Sequence, residues 1–280
     1  MIIFYKTEEI EAFIRDLNNQ NKTIGFVPTM GALHEGHVSL VKESKLDCDF
    51  TIVSIFVNPT QFNNIADFEK YPINTESDIK ILKENGCDVL FLPTKEEIYT
   101  TNYVFPEMDL GLLDEVLEGK HRPGHFKGVI QVVYRLFEII RPTKAFFGLK
   151  DFQQLAVIKK MTDFFDFNIA IIPCKTIREI DGLAMSSRNT RLTQTQRIEA
   201  LFIYESLILA KNLAPKLSPK ECKKIIEEVY LESSLKLEYF EIINPESFEI
   251  LTDDWCENAV ACVVAYVGEV RLIDNMVLKG

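Results

Sequence analysis

The chain has 280 residues, of which 47% are hydrophobic, and its formal net charge at pH 7 is -11. This length and apolar content suffice to bury a sizeable core in one large or two smaller domains. The sequence contains no basic stripe that would favour nucleic acid, and no apolar run approaches the length that spans a membrane.

The cysteines predict reduced thiols in a cytoplasmic protein. They are Cys48, Cys87, Cys174, Cys222, Cys256 and Cys262, and no two of them form a CxxC pair. A thiol in an apolar run behaves as a small hydrophobic side chain. The N-terminus has no basic region followed by an apolar stretch and a cleavage site, so we expect a cytoplasmic location.

Hydrophobic periodicity predicts alternating helices and strands up to residue 175. Predicted helices lie at 7–18, 37–46, 75–85, 129–140 and 152–165, and predicted strands lie at 24–28, 51–57, 88–92, 145–147 and 169–173. Strands that alternate with helices form right-handed βαβ units and a parallel sheet. We therefore expect an α/β, Rossmann-like, parallel-sheet N-terminal domain over residues 1–175.

The pattern changes after residue 175. A polar loop precedes two helices, predicted at 193–213 and 219–231, and strands are predicted at 237–243, 259–267 and 271–277. Pro215 lies in the break between the two helices, and Pro219 begins the second helix. Both positions suit proline, which is not tolerated in a helix interior. We expect these elements to form a smaller α+β C-terminal domain over residues 176–280.

The most informative motif is His34-Glu35-Gly36-His37, between a predicted strand and a predicted helix. Side chains three apart in a first helical turn share one face, and the unpaired N–H groups of that turn favour anions. The histidines can then donate hydrogen bonds as negative charge grows on a leaving phosphate. The spacing resembles the HxGH signature of nucleotidyltransferases. A structural pair or two metal ligands are the alternatives, although a metal site usually needs further ligands.

Polar residues follow the strand predicted at 51–57. Asn58 and Gln61 lie there, and ligands gather beyond the carboxyl ends of strands in open parallel sheets. Their amides can fix a polar substrate without adding charge. Both residue types are also common in turns, which is the alternative interpretation.

A glycine turn follows the strand predicted at 145–147. Gly148 permits a close approach of the backbone to a ligand, and Lys150 provides a mobile charge suited to phosphate. Asp151 either bonds to a ribose hydroxyl or caps the next helix.

Two further segments are rich in groups that bind anions. Residues 118–128 place several potential cations in a glycine-bearing loop, which is either solvated or a place where anions bind. Ser186, Ser187 and Arg188 offer two hydroxyls and a guanidinium suited to β and γ phosphates. Their segment resembles the KMSKS loop that accompanies HxGH in nucleotide-activating enzymes.

Five strings together resemble the pantoate–β-alanine ligase family, also known as pantothenate synthetases. They are VPTMGALHEGH (27–37), FVNPTQF (56–62), GKHRPGHFKGV (119–129), FFGLKDFQQ (146–154) and REIDGLAMSSRN (178–189), in the order in which the family has them. These strings span most of the first predicted domain and its junction with the second.

The resemblance implies an enzyme that condenses D-pantoate with β-alanine, with ATP as a further substrate and Mg2+ as its metal. In the family, ATP first converts pantoate to an enzyme-bound pantoyl adenylate, and pyrophosphate is released. The amine of β-alanine then attacks the anhydride and releases AMP. The resemblance also implies a homodimer and a smaller domain that closes over the ATP site. The expected partners are therefore small molecules, with no nucleic acid and no membrane.

The resemblance further implies which residues bind ATP and which are catalytic. The implied catalytic residues are His37 as proton donor, with His34 and Lys150 on phosphate. The implied ATP contacts are Met30, Gly31, Ala32, Leu33, His34, Glu35, Gly36, His37, Gly148, Leu149, Lys150, Asp151, Ile177, Met185, Ser186, Ser187 and Arg188.

Amide side chains are implied to bind pantoate. Gln61 and Gln154 hold it, and Asn58 is a further substrate contact or supports one. The implied metal ligands stay open, since Ile73 stands where the family commonly has arginine. Ser77 also replaces one of two acidic residues seen in some relatives, which leaves Asp78.

Two other functions share part of this pattern. Another HxGH nucleotidyltransferase, which joins a nucleotide to a phosphate ester, would need His34 and His37 but not the glutamine pair. A non-catalytic nucleotide sensor would bind ATP and form no pyrophosphate. The full set of proton donors and phosphate contacts favours an enzyme over a sensor.

Overall fold

The computed structural model describes residues 1–100 and 103–279, which group into two compact units. The first unit comprises residues 1–100, 103–110, 122–149 and 153–175, and the second comprises 111–121, 150–152 and 176–279. The division of the chain into domains at residue 175 stays a prediction. Within the described ranges, no helix has the length and apolar character that a bilayer crossing requires.

The regular elements alternate along most of the chain. The strands are β1 (Ile2–Phe4), β2 (Ile24–Thr29), β3 (Phe50–Ile55), β4 (Val89–Phe91), β5 (Lys144–Gly148), β6 (Ala170–Cys174), β7 (Lys236–Ile243), β8 (Val260–Val267) and β9 (Val270–Val277). The α-helices are α1 (Thr7–Asn19), α2 (Glu35–Asp47), α3 (Ile65–Glu69), α4 (Thr75–Glu84), α5 (Lys95–Ile98), α6 (Leu117–His121), α7 (His125–Ile140), α8 (Phe152–Phe164), α9 (Gln194–Glu199), α10 (Leu201–Leu213) and α11 (Pro219–Leu231).

The first unit is built on a parallel sheet with the strand order β1-β4-β3-β2-β5-β6. Every neighbouring pair in it is parallel. The order reverses at β2, since the chain runs from β2 to β3 and β4 on one side and later to β5 and β6 on the other. Such a reversal leaves a crevice at the carboxyl ends of the strands, where ligands bind in this class of fold. The sheet confirms the predicted α/β architecture.

Helices cover both faces of this sheet. Successive strand residues point to opposite faces, and the ring of Phe26 meets Phe137 of α7 at a centroid distance of 6.4 Å. The next residue, Val27, belongs to the buried cluster that contains Leu40 and Val41 of α2. Burial of each large apolar side chain contributes about 1.5–3 kcal/mol. Coverage on both faces explains why these strands are apolar runs rather than alternating patterns.

The second unit is α+β, as predicted. Its sheet is antiparallel, with the order β7-β8-β9. Its core joins Leu207 and Ala210 of α10, Ile226 of α11 and Phe240 and Val263 of the sheet, all of which are buried. An antiparallel sheet covered on one face by two helices gives this unit a hydrophobic core of its own.

Several elements differ from the predictions, and the short helices α3, α5 and α6 were not predicted. β1 was not predicted, because three residues are too few to show a strand period. α7 begins at His125 rather than at 129, because His125, Lys127 and Gly128 of its first turn are not large apolar residues. The helix predicted over 193–213 is interrupted at Ala200, whose carbonyl accepts from the N–H of Ile203, three residues on.

Candidate active site

β2 lies between β3 and β5 in the parallel sheet of the first unit, so the carboxyl ends of these three strands lie at one edge of the sheet. β2 pairs with β3 at six positions, from Ile24–Phe50 to Thr29–Ile55, but with β5 at two, Gly25–Lys144 and Phe26–Ala145. Two parallel strands that pair over two positions near their start diverge towards their carboxyl ends. The structure thus brings three predicted segments, which begin at Met30, Phe56 and Gly148, to one edge of the sheet.

The two histidines of the HxGH motif open α2. His34 is the N-cap residue, and its Nδ1 accepts a hydrogen bond from the N–H of Gly36 at 3.1 Å. The Nδ1 of His37 accepts in turn from the N–H of His34 at 3.3 Å. The ring centroids are 4.1 Å apart. Side chains and backbone thus cap one another in the way that Ser and Glu do in a capping box.

This capping decides which ring nitrogen of each histidine carries hydrogen. A neutral imidazole has one donor and one acceptor nitrogen. Because Nδ1 accepts in both His34 and His37, Nε2 is the protonated nitrogen of each neutral ring. Both side chains are half-buried at the start of α2. The N-terminal end of a helix favours negative charge, so the two Nε2–H groups suit a phosphate oxygen.

The loop before the histidines is held by Asp78. Its oxygens accept from the N–H of Ala32 at 2.9 Å and from the N–H of Leu33 at 2.8 Å. Gly31 and Ala32 both have left-handed backbone, with φ of +81° and +49°, which is costly for alanine. Burial raises the pKa of Asp78, and the two amide hydrogen bonds act in the opposite direction.

From the sequence alone, Asp78 is only the remaining acidic residue of a pair, in a segment where the metal ligands stay open. Its bonds to Ala32 and Leu33 join residues 46 and 45 positions apart, which no local pattern reveals. Among residues 1–100 and 103–279, no group of three or more His, Cys, Asp or Glu side chains is arranged to hold a metal ion. The hydrogen bonds from Ala32 and Leu33 make Asp78 a clamp on the loop that follows β2.

Asn58 is buried at the end of β3, with 1% of its surface exposed. Its Nδ2 donates to the Oε1 of Gln61 at 3.2 Å and to the carbonyl of Gly128 at 3.0 Å. Its Oδ1 accepts from the hydroxyl of Tyr99 at 2.8 Å and from that of Thr60 at 3.0 Å. The amide of Asn58 is thus engaged by the protein itself, and its contact with Gln61 fixes the orientation of that side chain.

The second glutamine of the predicted pair lies on another element. Gln154 is half-buried in the first turn of α8, which follows the carboxyl end of β5. Gln61 is also half-buried, and its Nε2 contacts the Sδ of Met30 at 3.0 Å. A Cβ built on Gly148 meets no heavy atom within 4 Å in the described parts of the chain. That open space permits a ligand to approach the backbone closely.

In the second unit, residues 177–185 form a tight hairpin. The N–H of Met185 donates to the carbonyl of Ile177 at 3.0 Å. Between them, Arg178 makes two hydrogen bonds to the carboxylate of Asp274, at 2.6 and 3.0 Å. A guanidinium and a carboxylate carry opposite charges, so this bidentate pair is charge-assisted. Asp274 is buried, and the pair anchors the hairpin to β9.

The phosphate-binding residues predicted after this hairpin also have defined positions. Ser186 caps a short 3-10 helix, and its Oγ accepts from the N–H of Arg188 at 3.3 Å. Ser187 is buried, whereas Arg188 is half-buried. In the same unit, the carbonyl of Lys150 accepts from the Nδ2 of Asn275 at 2.9 Å, which fixes the backbone that bears the lysine side chain.

Known proteins resemble the chain over its whole length. The family model for pantoate-beta-alanine ligase matches residues 2–277. Pantothenate synthetases from Porphyromonas gingivalis and Flavobacterium psychrophilum are each 45% identical to the chain. The alignments span 281 residues, or 99% of both chains, for the first and 284 residues, or 100% of both, for the second.

Solved structures agree with this. Pantothenate synthetase from Thermus thermophilus has a TM-score of 0.94 at 36% identity and covers 100% of both chains. Pantoate-beta-alanine ligase from Francisella tularensis, solved with beta-gamma ATP and beta-alanine, has a TM-score of 0.82 at 39% identity. The match covers 99% of this chain and 98% of that one. The chain therefore belongs to the pantoate-beta-alanine ligase family.

Proposed function

We propose that the chain condenses D-pantoate with β-alanine at the expense of ATP, through a pantoyl adenylate. The observation that carries this proposal is the geometry of His34 and His37. Both rings use Nδ1 to cap the start of α2 and bear hydrogen on Nε2. Two donors at the positive end of a helix stabilise negative charge on phosphate, as cleavage between the α and β phosphorus atoms requires.

The chemistry proceeds in two balanced steps. A carboxylate oxygen of pantoate attacks the α phosphorus of ATP, and the bond to the bridging oxygen breaks with release of pyrophosphate. The amine of β-alanine then attacks the acyl carbon, loses a proton and displaces AMP. A carboxylate is a poor electrophile because it is anionic, whereas the adenylate has a good leaving group. Catalysis then depends mainly on orientation and on charge stabilisation.

In the first step, some of the proposed residues stabilise charge on the phosphates, and the others position ATP. His37 donates a proton or hydrogen bond to the departing pyrophosphate, and His34 and Lys150 contact phosphate. The backbone of residues 30–33 is proposed to line ATP, and Asp78 accepts hydrogen bonds from two of its N–H groups, those of Ala32 and Leu33. The remaining proposed ATP contacts are Glu35, Gly36, Gly148, Leu149, Asp151, Ile177, Met185, Ser186, Ser187 and Arg188.

Pantoate is proposed to bind through Gln61 and Gln154. A glutamine amide both donates and accepts hydrogen bonds, so the pair can hold the hydroxyl and carboxylate oxygens of pantoate. We assign Asn58 to orienting Gln61, because its own amide is buried and bonds to Gln61, Thr60 and Tyr99.

Magnesium fits this chain as an ion that arrives with ATP. Mg2+ keeps several waters and binds through one or two carboxylates plus substrate phosphates rather than in an all-protein cage. When bound, the ion neutralises charge on the phosphates, and the histidines act on the remaining charge. We propose in addition a homodimer, which the family resemblance supports, and a cytoplasmic location.

An AMP-release assay tests the proposal. The purified protein is supplied with ATP, Mg2+, D-pantoate and β-alanine, and each substrate is omitted in turn. We expect AMP and pantothenate in equal amounts only when all three substrates are present. Nucleotide transfer to a phosphate ester would indicate another HxGH nucleotidyltransferase. ATP binding without any pyrophosphate release would indicate a nucleotide sensor.

A further inference from the structure

The start of α7 packs against the turn that presents Gln61. A Cβ added to Gly128 would overlap the carbonyl of Thr60, so the helix backbone approaches the turn closely there. The carbonyl of Gly128 accepts from Asn58 at 3.0 Å. Three residues earlier, His125 points at the same turn and is buried, with 5% of its surface exposed. The spacing of three places Gly128 and His125 on one face of α7.

His125 connects Gln61 to an arginine. Its Nδ1 lies 2.8 Å from the carbonyl oxygen of Gln61, and its Nε2 lies 3.0 Å from the Nη1 of Arg122. The Nη2 of Arg122 donates to the same carbonyl of Gln61 at 3.3 Å. The backbone of Gln61 is thus bonded by two side chains, while Asn58 bonds its side-chain oxygen.

The partners of His125 determine its protonation. A guanidinium has only donors, so the Nε2 that faces Arg122 must be an acceptor. A carbonyl oxygen only accepts, so the Nδ1 that faces Gln61 must carry hydrogen. A doubly protonated ring would place N–H against N–H and add a positive charge beside Arg122. His125 is therefore neutral, with hydrogen on Nδ1, the opposite of His34 and His37.

We infer that His125 and Arg122 form a positioning pair that holds Gln61 in the orientation needed to bind pantoate. The inference rests on the proposed role of Gln61 in pantoate binding. Neither residue is a catalytic group here, since both act through the backbone of Gln61. A binding residue must be held to within a fraction of an ångström, and hydrogen bonds to its backbone supply that restraint. Arg122 and His125 thus contribute to substrate recognition through their contacts with the turn at residues 58–61.

Kinetics of the adenylation half-reaction test this role. We expect His125→Ala to raise the KM for pantoate about tenfold or more, with a much smaller change in the KM for ATP. His125→Asn keeps a donor at the position of Nδ1, so we expect it to restore the pantoate KM to within about threefold of wild type. Lys127→Ala, on an exposed side chain of the same helix, is the matched control and leaves both constants unchanged.

Three outcomes would overturn the inference. One is a normal pantoate KM in His125→Ala while Gln61→Ala raises it, which would reject the positioning pair alone. Another is an equal loss of ATP and pantoate affinity with no rescue by His125→Asn, which would indicate a general packing role. The third is a normal pantoate KM in Gln61→Ala, which would reject the proposed function of Gln61 itself. Arg122→Met repeats the test if His125→Ala does not fold.

Nitrogen NMR of the histidine rings gives an independent readout that a packing role would not produce. With imidazole nitrogens labelled and resonances assigned from His125→Asn and His37→Ala, we expect hydrogen on Nδ1 in His125 and on Nε2 in His37. In Arg122→Met, we expect the Nε2 signal of His125 to shift, because the nitrogen loses its donor. We expect that nitrogen to stay unprotonated. Hydrogen on Nε2 of His125 in the wild type would contradict the inferred arrangement.

Discussion

The carboxylate of Asp78 accepts a hydrogen bond from the backbone N–H of Leu33 at 2.8 Å, and its second oxygen accepts from Ala32 at 2.9 Å. These bonds hold the left-handed turn that leads into the HxGH motif. Asp78 is buried near the start of α4, so an element far along the chain sets the shape of the loop between β2 and α2.

Replacement of Asp78 by asparagine should therefore weaken ATP binding. Asparagine keeps the size but offers one acceptor and one donor, and the donor would face an N–H group. Loss of one charge-assisted hydrogen bond costs about 1.5–3 kcal/mol. We expect the KM for ATP in adenylation to rise at least roughly tenfold, which corresponds to about 1.4 kcal/mol. Glu76→Gln, an exposed change on the same helix, should behave as wild type. An unaltered KM for ATP in a folded Asp78→Asn variant would show that the loop does not need this clamp.

His37 and Lys150 should matter most in the transition state. Negative charge moves onto pyrophosphate as its bond to the α phosphorus breaks, and a donor aimed at it contributes about 3–4 kcal/mol. His37→Ala and Lys150→Ala should each slow adenylation on the order of a hundred- to a thousandfold, with a much smaller change in the Kd for ATP. Single-turnover pyrophosphate release and ATP titration calorimetry measure the two quantities. Lys42→Ala, exposed on α2, is the control. A defect that lies wholly in ATP binding would contradict the transition-state role.

Gln154→Ala should impair pantoate but not ATP. The variant removes an amide that we propose holds pantoate oxygens, and α8 retains its other side chains. We expect the KM for pantoate to rise about tenfold or more while ATP still binds with its normal Kd. Lys159→Ala, exposed on the same helix, should change neither value. Wild-type pantoate kinetics in Gln154→Ala would remove this residue from the substrate site.

The thiols should react in two classes. Burial raises the pKa of Cys87 to about 12 and that of Cys174 and Cys222 to about 11. The thiolate is the reactive form, so these thiols stay protonated and inert at about pH 8. Cys262 is also buried, whereas Cys48 and Cys256 are half-buried. We expect a disulfide reagent to label at most Cys48 and Cys256 in the native protein, and all six cysteines after denaturation. Rapid native labelling of Cys87 would disagree with its burial.

Features that depend on near neighbours in the chain could be predicted from the sequence. The parallel sheet followed from apolar runs spaced by amphipathic helices, and the HxGH turn from residues three apart. The bond from His125 to Gln61 spans 64 positions, and the bond from Asp78 to Ala32 spans 46. Contacts of this kind depend on how helices pack on the sheet, which periodicity does not specify.

Residues with more than one plausible role were also hard to assign. Asn58 has the same amide as Gln61, and both follow β3. Only the burial of Asn58 at 1% and its bonds to Tyr99 and Gln61 separate a positioning residue from a proposed substrate contact. The pattern located the turn, but the direction of each side chain within it depends on tertiary structure.

The most direct test of the two-step reaction is isotope exchange between pyrophosphate and ATP. If pantoyl adenylate forms before the amine arrives, exchange should require pantoate and Mg2+ and should proceed at full rate without β-alanine. The exchange should also fall about a hundredfold or more in His37→Ala. Exchange that appears only when β-alanine is present would contradict the adenylate intermediate and would indicate a concerted reaction of all three substrates.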